Sequence, residues 1–480
     1  MRRFFAKSLL FIVGVNLLVK PLWIFLIDRT VQNRVGHEAY GTYTALFSLS
    51  VIFQTVLDFG LNNYNTRTLS QDPARFATQF PAMLGVRAIL IFVYAIIELS
   101  IGFAMGYRGW EILLLCGTLT MQSLAILLLF IRSNIAAFQR FRLDGLLSVA
   151  DRLLMIVLCG SLLFLPFTAR AFRIEWFVGL QIICYLLAII FGLYLLRRIT
   201  HQPLRISFHL GSVWAIIRQG SPYALLGFLM AIYMRSDALI MERLLPDGKL
   251  QTGVYAQSSR LLDVANMIPN ILAGILLPMF GKMLAERADV ASIIRLSVNL
   301  LLPLSLLTAG IAAISGDEIM HLLYHVTSKQ DGLVFAWLMP VFPAFVLMYV
   351  YSTLLTANGL LPLLNKIAAF GVLLSVTLNL ISLPHSGALG AAFTASLTNW
   401  ILAFCYIFFA ARRNALPYHL KWISAHAVYV LLIAASCLLL HTLVPDWRLR
   451  IFLLVAIAAL LILLLRFVSP RALQQFLQRR

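Results

Sequence analysis

The sequence predicts an all-α polytopic membrane protein of about fourteen transmembrane helices, arranged as two pseudo-symmetric six-helix lobes around a central cavity, with two further C-terminal helices. Three observations predict it. Of 480 residues, 61% are hydrophobic and 12% charged, where soluble chains carry about 25% charged residues. Apolar runs long enough to cross a bilayer recur along the whole chain and are continuous, which excludes the two-residue alternation of an outer-membrane barrel. The third is an internal repeat: Gly41-Thr42-Tyr43 lies over Gly253-Val254-Tyr255 at an offset of 212 residues.

About 20 helical residues span a hydrocarbon core of roughly 30 Å. By that measure the first lobe, 1–200, holds passes at 8–27, 41–60, 78–105, 110–131, 146–166 and 175–196. The basic start "MRRFFAKSLLF" resembles a signal peptide, but no small-residue cleavage site follows and Lys20 interrupts the apolar run, so it reads as a retained first helix. The second lobe, 201–411, holds passes at 217–240, 253–280, 292–315, 333–356, 364–383 and 388–411, the last two separated only by "LPHSGAL". Residues 412–480 add passes at 423–443 and 449–468. Six passes per lobe make the repeats parallel, related by an axis along the membrane normal. A second match supports the register, since "AAFQRF" (136–141) and "TANGLL" (356–361) both follow a fourth-position helix.

Basic loop residues orient the chain. With the N-terminus inside, 20 of them face the cytoplasm, from Arg2, Arg3 and Lys7 through Arg67 and Arg205 to Arg471, Arg479 and Arg480, against 10 outside, Arg29, Arg34 and Arg170 among them. That bias places both termini in the cytoplasm. The net charge of +19 is scattered between apolar segments, so anionic membrane lipids are the expected partner and nucleic acid is not. The five cysteines fall in apolar stretches without a CxxC pair and read as small core residues. No P-loop occurs and no loop reaches 25 residues, which leaves no room for a nucleotide motor or a soluble catalytic domain. No cofactor is expected, and His321 and His325, placed in an outer loop, lack a third ligand for a metal.

Charges inside the passes carry the functional signal, because a charge at a helix centre costs about 2.5–3.5 kcal/mol on insertion scales and normally faces a cavity or a partner. Arg152, Arg218, Arg295 and Arg466 lie near cytoplasmic ends and can snorkel. Lys20, Arg87, Arg235 and Arg260 lie deeper, roughly 18, 14, 27 and 32 Å from the inner side at 1.5 Å per residue. They are the candidate substrate-binding residues of a cationic cavity, and phosphates are the anions such groups bind best. Ion pairing is the competing reading. Asp263 lies three residues from Arg260 on the same helix face, and Asp237 two from Arg235. Asp58, Glu98, Asp237 and Asp263 are thus candidates for ion coupling or for pairing; as structural carboxylates, Asp58 and Glu98 would sit near helix ends.

The chain resembles the Wzx-type O-antigen and polysaccharide flippases of the multidrug/oligosaccharidyl-lipid/polysaccharide (MOP) exporter superfamily. The resemblance covers most of 1–411 and rests on "EAYGTYTALFSL" (38–49), "LDFGLNNYNTRTLS" (57–70), "TGVYAQSSRLLDVANMIPNILAGILLPMF" (252–280) and "ANGLLPLLNKIAAFGVLLSVTLNLISLPHSGALGAAFTASLTN" (357–399). These are glycine, proline and tyrosine patterns and no catalytic signature. The resemblance implies a non-enzymatic transporter of the bacterial inner membrane. It would flip an undecaprenyl-diphosphate-linked oligosaccharide, the repeat unit of O-antigen, capsule or exopolysaccharide, from inner to outer leaflet by alternating access. A proton or sodium ion is the candidate coupling partner, and polymerase and assembly proteins are candidate protein partners. Two other classes stay open: a membrane glycosyltransferase, polymerase or ligase using the same lipid donor, and a MOP-type exporter of lipid II or drugs.

Overall fold

The computed structural model describes residues 2–59, 61–165, 171–202, 211–325, 328–414, 416 and 420–467, with side chains at 2–12, 63, 64, 67, 70, 71, 73 and 211–223 left aside. Arg170, Arg205, Arg471, Arg479 and Arg480 therefore lie outside the described residues, as do the side chains of Arg2, Arg3, Lys7, Arg67 and Arg218. Every regular element among the described residues is helical. Backbone contacts divide the chain into two units, Met1–Gly253 and Val254–Arg480.

The first unit opens with α1 (Arg2–Trp23), a π-helical turn Ile24–Asp28 and α2 (Arg29–Phe53). Pro21 cannot donate to the helical ladder just before the π-turn, a usual cause of such a bulge. Residues 28–40, expected as an outer loop, are helical on both sides of a single break at Gly36, whose φ of 79° suits glycine. The chain folds back there, so that Tyr40 reaches Asp28 at 2.9 Å. A short turn α3 (Thr55–Asp58) ends at Phe59 with φ 40°. The helix α4 (Leu61–Gln71) then occupies residues expected as a loop. Both differences have one reason: hydropathy finds helices immersed in lipid, and polar helices outside it read as loops.

The rest of the unit is α5 (Phe76–Ala104), α6 (Trp110–Ala137), α7 (Phe141–Phe164), α8 (Ile174–Thr200), α9 (Gly211–Leu244) and the start of α10 (Gly248–Ala285). Its core joins α4, α5, α6, α7 and α8. There Phe80 stacks on Phe76 at 5.0 Å and on Phe130 at 5.3 Å between ring centroids, geometry that adds about 0.5–1.5 kcal/mol per pair beyond area burial. The other faces of these helices present large apolar side chains such as Phe92, Val157, Ile190 and Tyr194, as a lipid-facing surface requires.

The second unit continues α10 and adds α11 (Ala291–Leu323), α12 (Lys329–Leu338), α13 (Val341–Ala357), α14 (Leu361–Asn414), α15 (Leu420–Leu443) and α16 (Trp447–Leu464). The 54 residues of α14 would reach roughly 80 Å if straight. Instead the helix turns back at Gly387 (φ 51°), and Thr394 donates to Asn379 at 2.5 Å across the hairpin. The narrow split at "LPHSGAL" is thus a helical hairpin. Tyr429, Ile433, Leu454 and Ala458 dock α15 and α16 on Ile314 of α11. His321 lies in the last turn of α11 and not in a loop, and no cluster of His, Cys, Asp and Glu fit for a metal occurs among the described residues. Among the described residues, length and hydropathy qualify eleven helical stretches as membrane spans, with α12 and α13 counted together and the α14 hairpin counted once.

Candidate functional site

Lys20 sits in the last turn of α1, half-buried, on the seam with α7. The residues one turn before and after it share that seam. Asn16 donates to Ser148 of α7 at 2.8 Å. Trp23 lies under the Arg152 guanidinium, 4.1 Å from the ring centroid. Arg152 therefore turns inward, contrary to the expected snorkelling, because an aromatic face and a carboxylate (Asp151 at 3.3 Å) lie within its reach. Arg132 of α6 pairs with Asp144 at 2.8 Å. Lys20 lies in the field of Arg152, Arg132 and Asp151 and makes no ion pair of its own among the described residues. Three bases against two acids leave a half-buried site with surplus positive charge and a polar wall.

Arg87 has a different setting. It is 1% exposed and donates to the Leu57 carbonyl at 3.3 Å, Asp58 at 3.0 Å and Asn62 at 2.8 Å, with its guanidinium 4.7 Å from the Phe130 ring centroid. These acceptors flank the break after α3, and Asp58 also accepts from the Asn62 amide at 3.3 Å. Arg87 and Asp58 thus clamp the broken helix together, using the motif "LDFGLN" that the sequence singled out.

Arg260 and Asp263 pair within α10 at 3.4 Å, their side chains 11% and 33% exposed. The i, i+3 spacing foretold this contact. On α9, Arg235 is half-buried and Asp237 is buried. Glu98 of α5 is fully buried; Ser50 of α2 donates to its Oε1, and Ser50 also contacts Thr118 of α6 at 2.9 Å.

Other polar groups went unread in the sequence. Asp28 is fully buried and accepts from Tyr40 and Gln32, at 2.9 and 3.0 Å; its place in the expected outer loop hid it. Around the ends of α5 and α9, Glu111 binds Lys249 at 2.7 Å, Glu242 binds Arg243 at 2.9 Å, and Tyr107 donates to Glu242 at 3.0 Å. Burial, reinforced by the charge of Glu242, pushes the Tyr107 hydroxyl up. Beside this charged cluster the two repeat glycines meet: a Cβ on Gly41 would overlap the Lys249 carbonyl, and one on Gly253 would overlap the His37 carbonyl. In the second unit Arg450 binds Glu318 at 2.5 Å and the Ile314 carbonyl at 2.6 Å, beside the backbone break at Ser315. An apolar groove of about 320 Å³ in the first unit is lined by Phe53, Val56, Phe59, Ile97, Leu225 and Phe228.

The described residues form a multi-pass helical bundle with charged side chains buried inside it. A family model described as polysaccharide biosynthesis protein matches residues 5–284. The chain belongs to that family. Its fold is that of MOP superfamily transporters, as the sequence implied. The structure is similar to the lipid II flippase MurJ in an inward closed conformation (14% identity, 96% of this chain and 98% of that one, TM-score 0.67). It is also similar to the Vibrio cholerae MATE transporter VcmN (15%, 85% and 94%, 0.59) and to a MOP transporter from Pyrococcus furiosus (15%, 85% and 96%, 0.56). Among curated proteins no sequence matches significantly.

Proposed function

We propose that this protein flips an undecaprenyl-diphosphate-linked oligosaccharide, the repeat unit of a surface polysaccharide such as O-antigen, from the inner to the outer leaflet of the bacterial inner membrane by alternating access, with both termini cytoplasmic. The observation that carries the reading is the Lys20 site. A base without an ion pair, backed by two paired arginines and an amide–hydroxyl wall, suits a diphosphate flanked by sugar hydroxyls. Family membership supports a polysaccharide precursor as cargo. Arg235 and Arg260 are proposed as further substrate-binding residues. Arg87 is proposed to act through the Asp58 clamp, which sets the course of the helices around the site. The lining of the apolar groove suits a hydrocarbon chain.

The test is complementation. Lys20→Ala, Arg235→Ala and Arg260→Ala, each expressed at wild-type level in a strain lacking the gene, should export markedly less surface polysaccharide; full export by all three would refute the cationic site. A second reading, export of the peptidoglycan precursor, is favoured by the likeness to a lipid II flippase over nearly the whole chain. Rescue of a strain depleted of its lipid II flippase would select that reading. Surplus positive charge at the site argues against a cationic drug as cargo.

A further inference from the structure

One face of α10 is polar through much of the thickness of the bilayer. Ser259, Asp263, Asn266 and Asn270 recur at spacings of four, three and four, which stacks them on a single helix face. From the start of the pass at 253 they lie roughly 9, 15, 20 and 26 Å along a hydrocarbon core of roughly 30 Å. Ser259 and Asn266 are half-buried, Asn270 is exposed, and the Asp263 side chain is 33% exposed. Polar groups inside a span face a water-filled cavity or the bundle interior, not hydrocarbon.

Polar side chains on membrane helices commonly glue one helix to the next. Ser259 instead donates back to its own helix, to the Ala256 carbonyl at 3.0 Å, and Asp263 pairs with Arg260 one turn earlier. The Asn266 amide faces the Tyr349 hydroxyl of α13, on which Asp263 also acts, while the Asn266 side-chain oxygen is buried with no hydrogen-bond partner. Tyr349 is half-buried and meets Phe345 edge-on, 6.4 Å between ring centroids. A buried amide oxygen without a donor is costly unless a donor arrives from outside the protein.

The charge on this face balances, since its one carboxylate answers the arginine beside it. What remains is hydroxyl and carboxamide, groups that offer donor and acceptor together, with an aromatic ring that is apolar on its face and polar at its tip. Phosphate recognition calls for surplus cations, which the Lys20 site has and this face lacks. Sugar hydroxyls, each donor and acceptor at once, match it. The stripe runs roughly 17 Å, room for several sugar units in a row. We propose that the α10 stripe from Ser259 to Asn270, with Tyr349, is a sugar-binding track that grips the oligosaccharide of the cargo and leaves the diphosphate to basic residues. Asn266, Asn270 and Tyr349 thereby set which oligosaccharides are carried. The inference deepens the flippase reading and rests on it.

The experiment measures binding by the full chain in lipid nanodiscs. The probes are bare undecaprenyl diphosphate and the lipid-linked oligosaccharide that accumulates in a strain lacking the gene. Wild type should bind the glycosylated lipid more tightly than the bare one. Asn266→Leu, Asn270→Leu and Tyr349→Phe should each weaken the glycosylated lipid about three- to tenfold, the loss of one neutral hydrogen bond, and leave the bare lipid unchanged. Retained binding of bare lipid also shows that a variant is folded. Tyr349→Phe, which removes one oxygen, decides the matter should an asparagine variant fail to accumulate. Equal affinity of wild type for the two lipids, or variants that weaken both lipids alike or neither, would overturn the track alone. Binding of neither lipid by wild type would overturn the flippase reading and the track with it.

Discussion

Removal of Arg87 should unfold a junction before it affects any binding event. The guanidinium is 1% exposed and is the donor for Leu57, Asp58 and Asn62 around the helix break. Removing one partner of a buried ion pair costs about 3–5 kcal/mol, since the other charge is left uncompensated. Asp58 is 27% exposed on its side chain, so water softens the charge that Arg87→Leu leaves behind and that variant belongs at about the lower end of the range. Asp58→Ala instead strands the buried guanidinium. Asp58→Ala should therefore destabilise by more than Arg87→Leu. The double variant should be milder than the sum by about 1–3 kcal/mol, as contacting residues in one network are. Thermal unfolding of purified protein in detergent, followed by intrinsic tryptophan fluorescence, measures all three. An Arg87→Leu protein as stable as wild type but inactive in export would refute the clamp and make Arg87 a direct substrate contact.

Gly41→Ala drives a methyl group into backbone at Lys249 and Gly253, which no rotamer change relieves; a cost of about 1–3 kcal/mol is expected. A cysteine placed at His37 should then react faster with a membrane-impermeant maleimide. Lys249→Ala leaves Glu111 its longer pair with Arg243 at 3.9 Å and should raise the same labelling with little loss of stability, because the lysine is exposed. Arg450→Leu strips the Ser315 break of its bonds to Ile314 and Glu318 and should lower the unfolding midpoint. Arg450→Lys should not restore it, since an ammonium does not reproduce the guanidinium fork.

What the sequence made legible was local. Continuous apolar runs mark the passes, three-residue spacing foretold the Arg260–Asp263 contact, and "LPHSGAL" marked the turn that the structure places at Gly387. Two kinds of feature were hidden. Polar helices outside the apolar runs, around Gly36 and over Leu61–Gln71, have no hydropathy signal and read as loops. Partners distant in sequence leave no pattern in one chain: Asp58 lies 29 residues from Arg87, Ser50 lies 48 from Glu98, and Glu318 lies 132 from Arg450. Arg87 and Lys20 looked alike as isolated deep bases, and only their surroundings separate a clamped arginine from a lysine with no ion pair.

The central claim is that a half-buried cationic site at Lys20 holds the diphosphate of a lipid-linked oligosaccharide while it crosses the bilayer. Its most direct test is reconstitution with undecaprenyl-diphosphate-linked oligosaccharide loaded in the inner leaflet of proteoliposomes, with exposure of sugar to an external lectin as the readout. Wild type should bring sugar to the outer leaflet, Lys20→Ala should do so far more slowly, and Lys20→Arg should retain much of the rate. Exposure no faster than in protein-free vesicles, or equal rates for wild type and Lys20→Ala, would contradict the account.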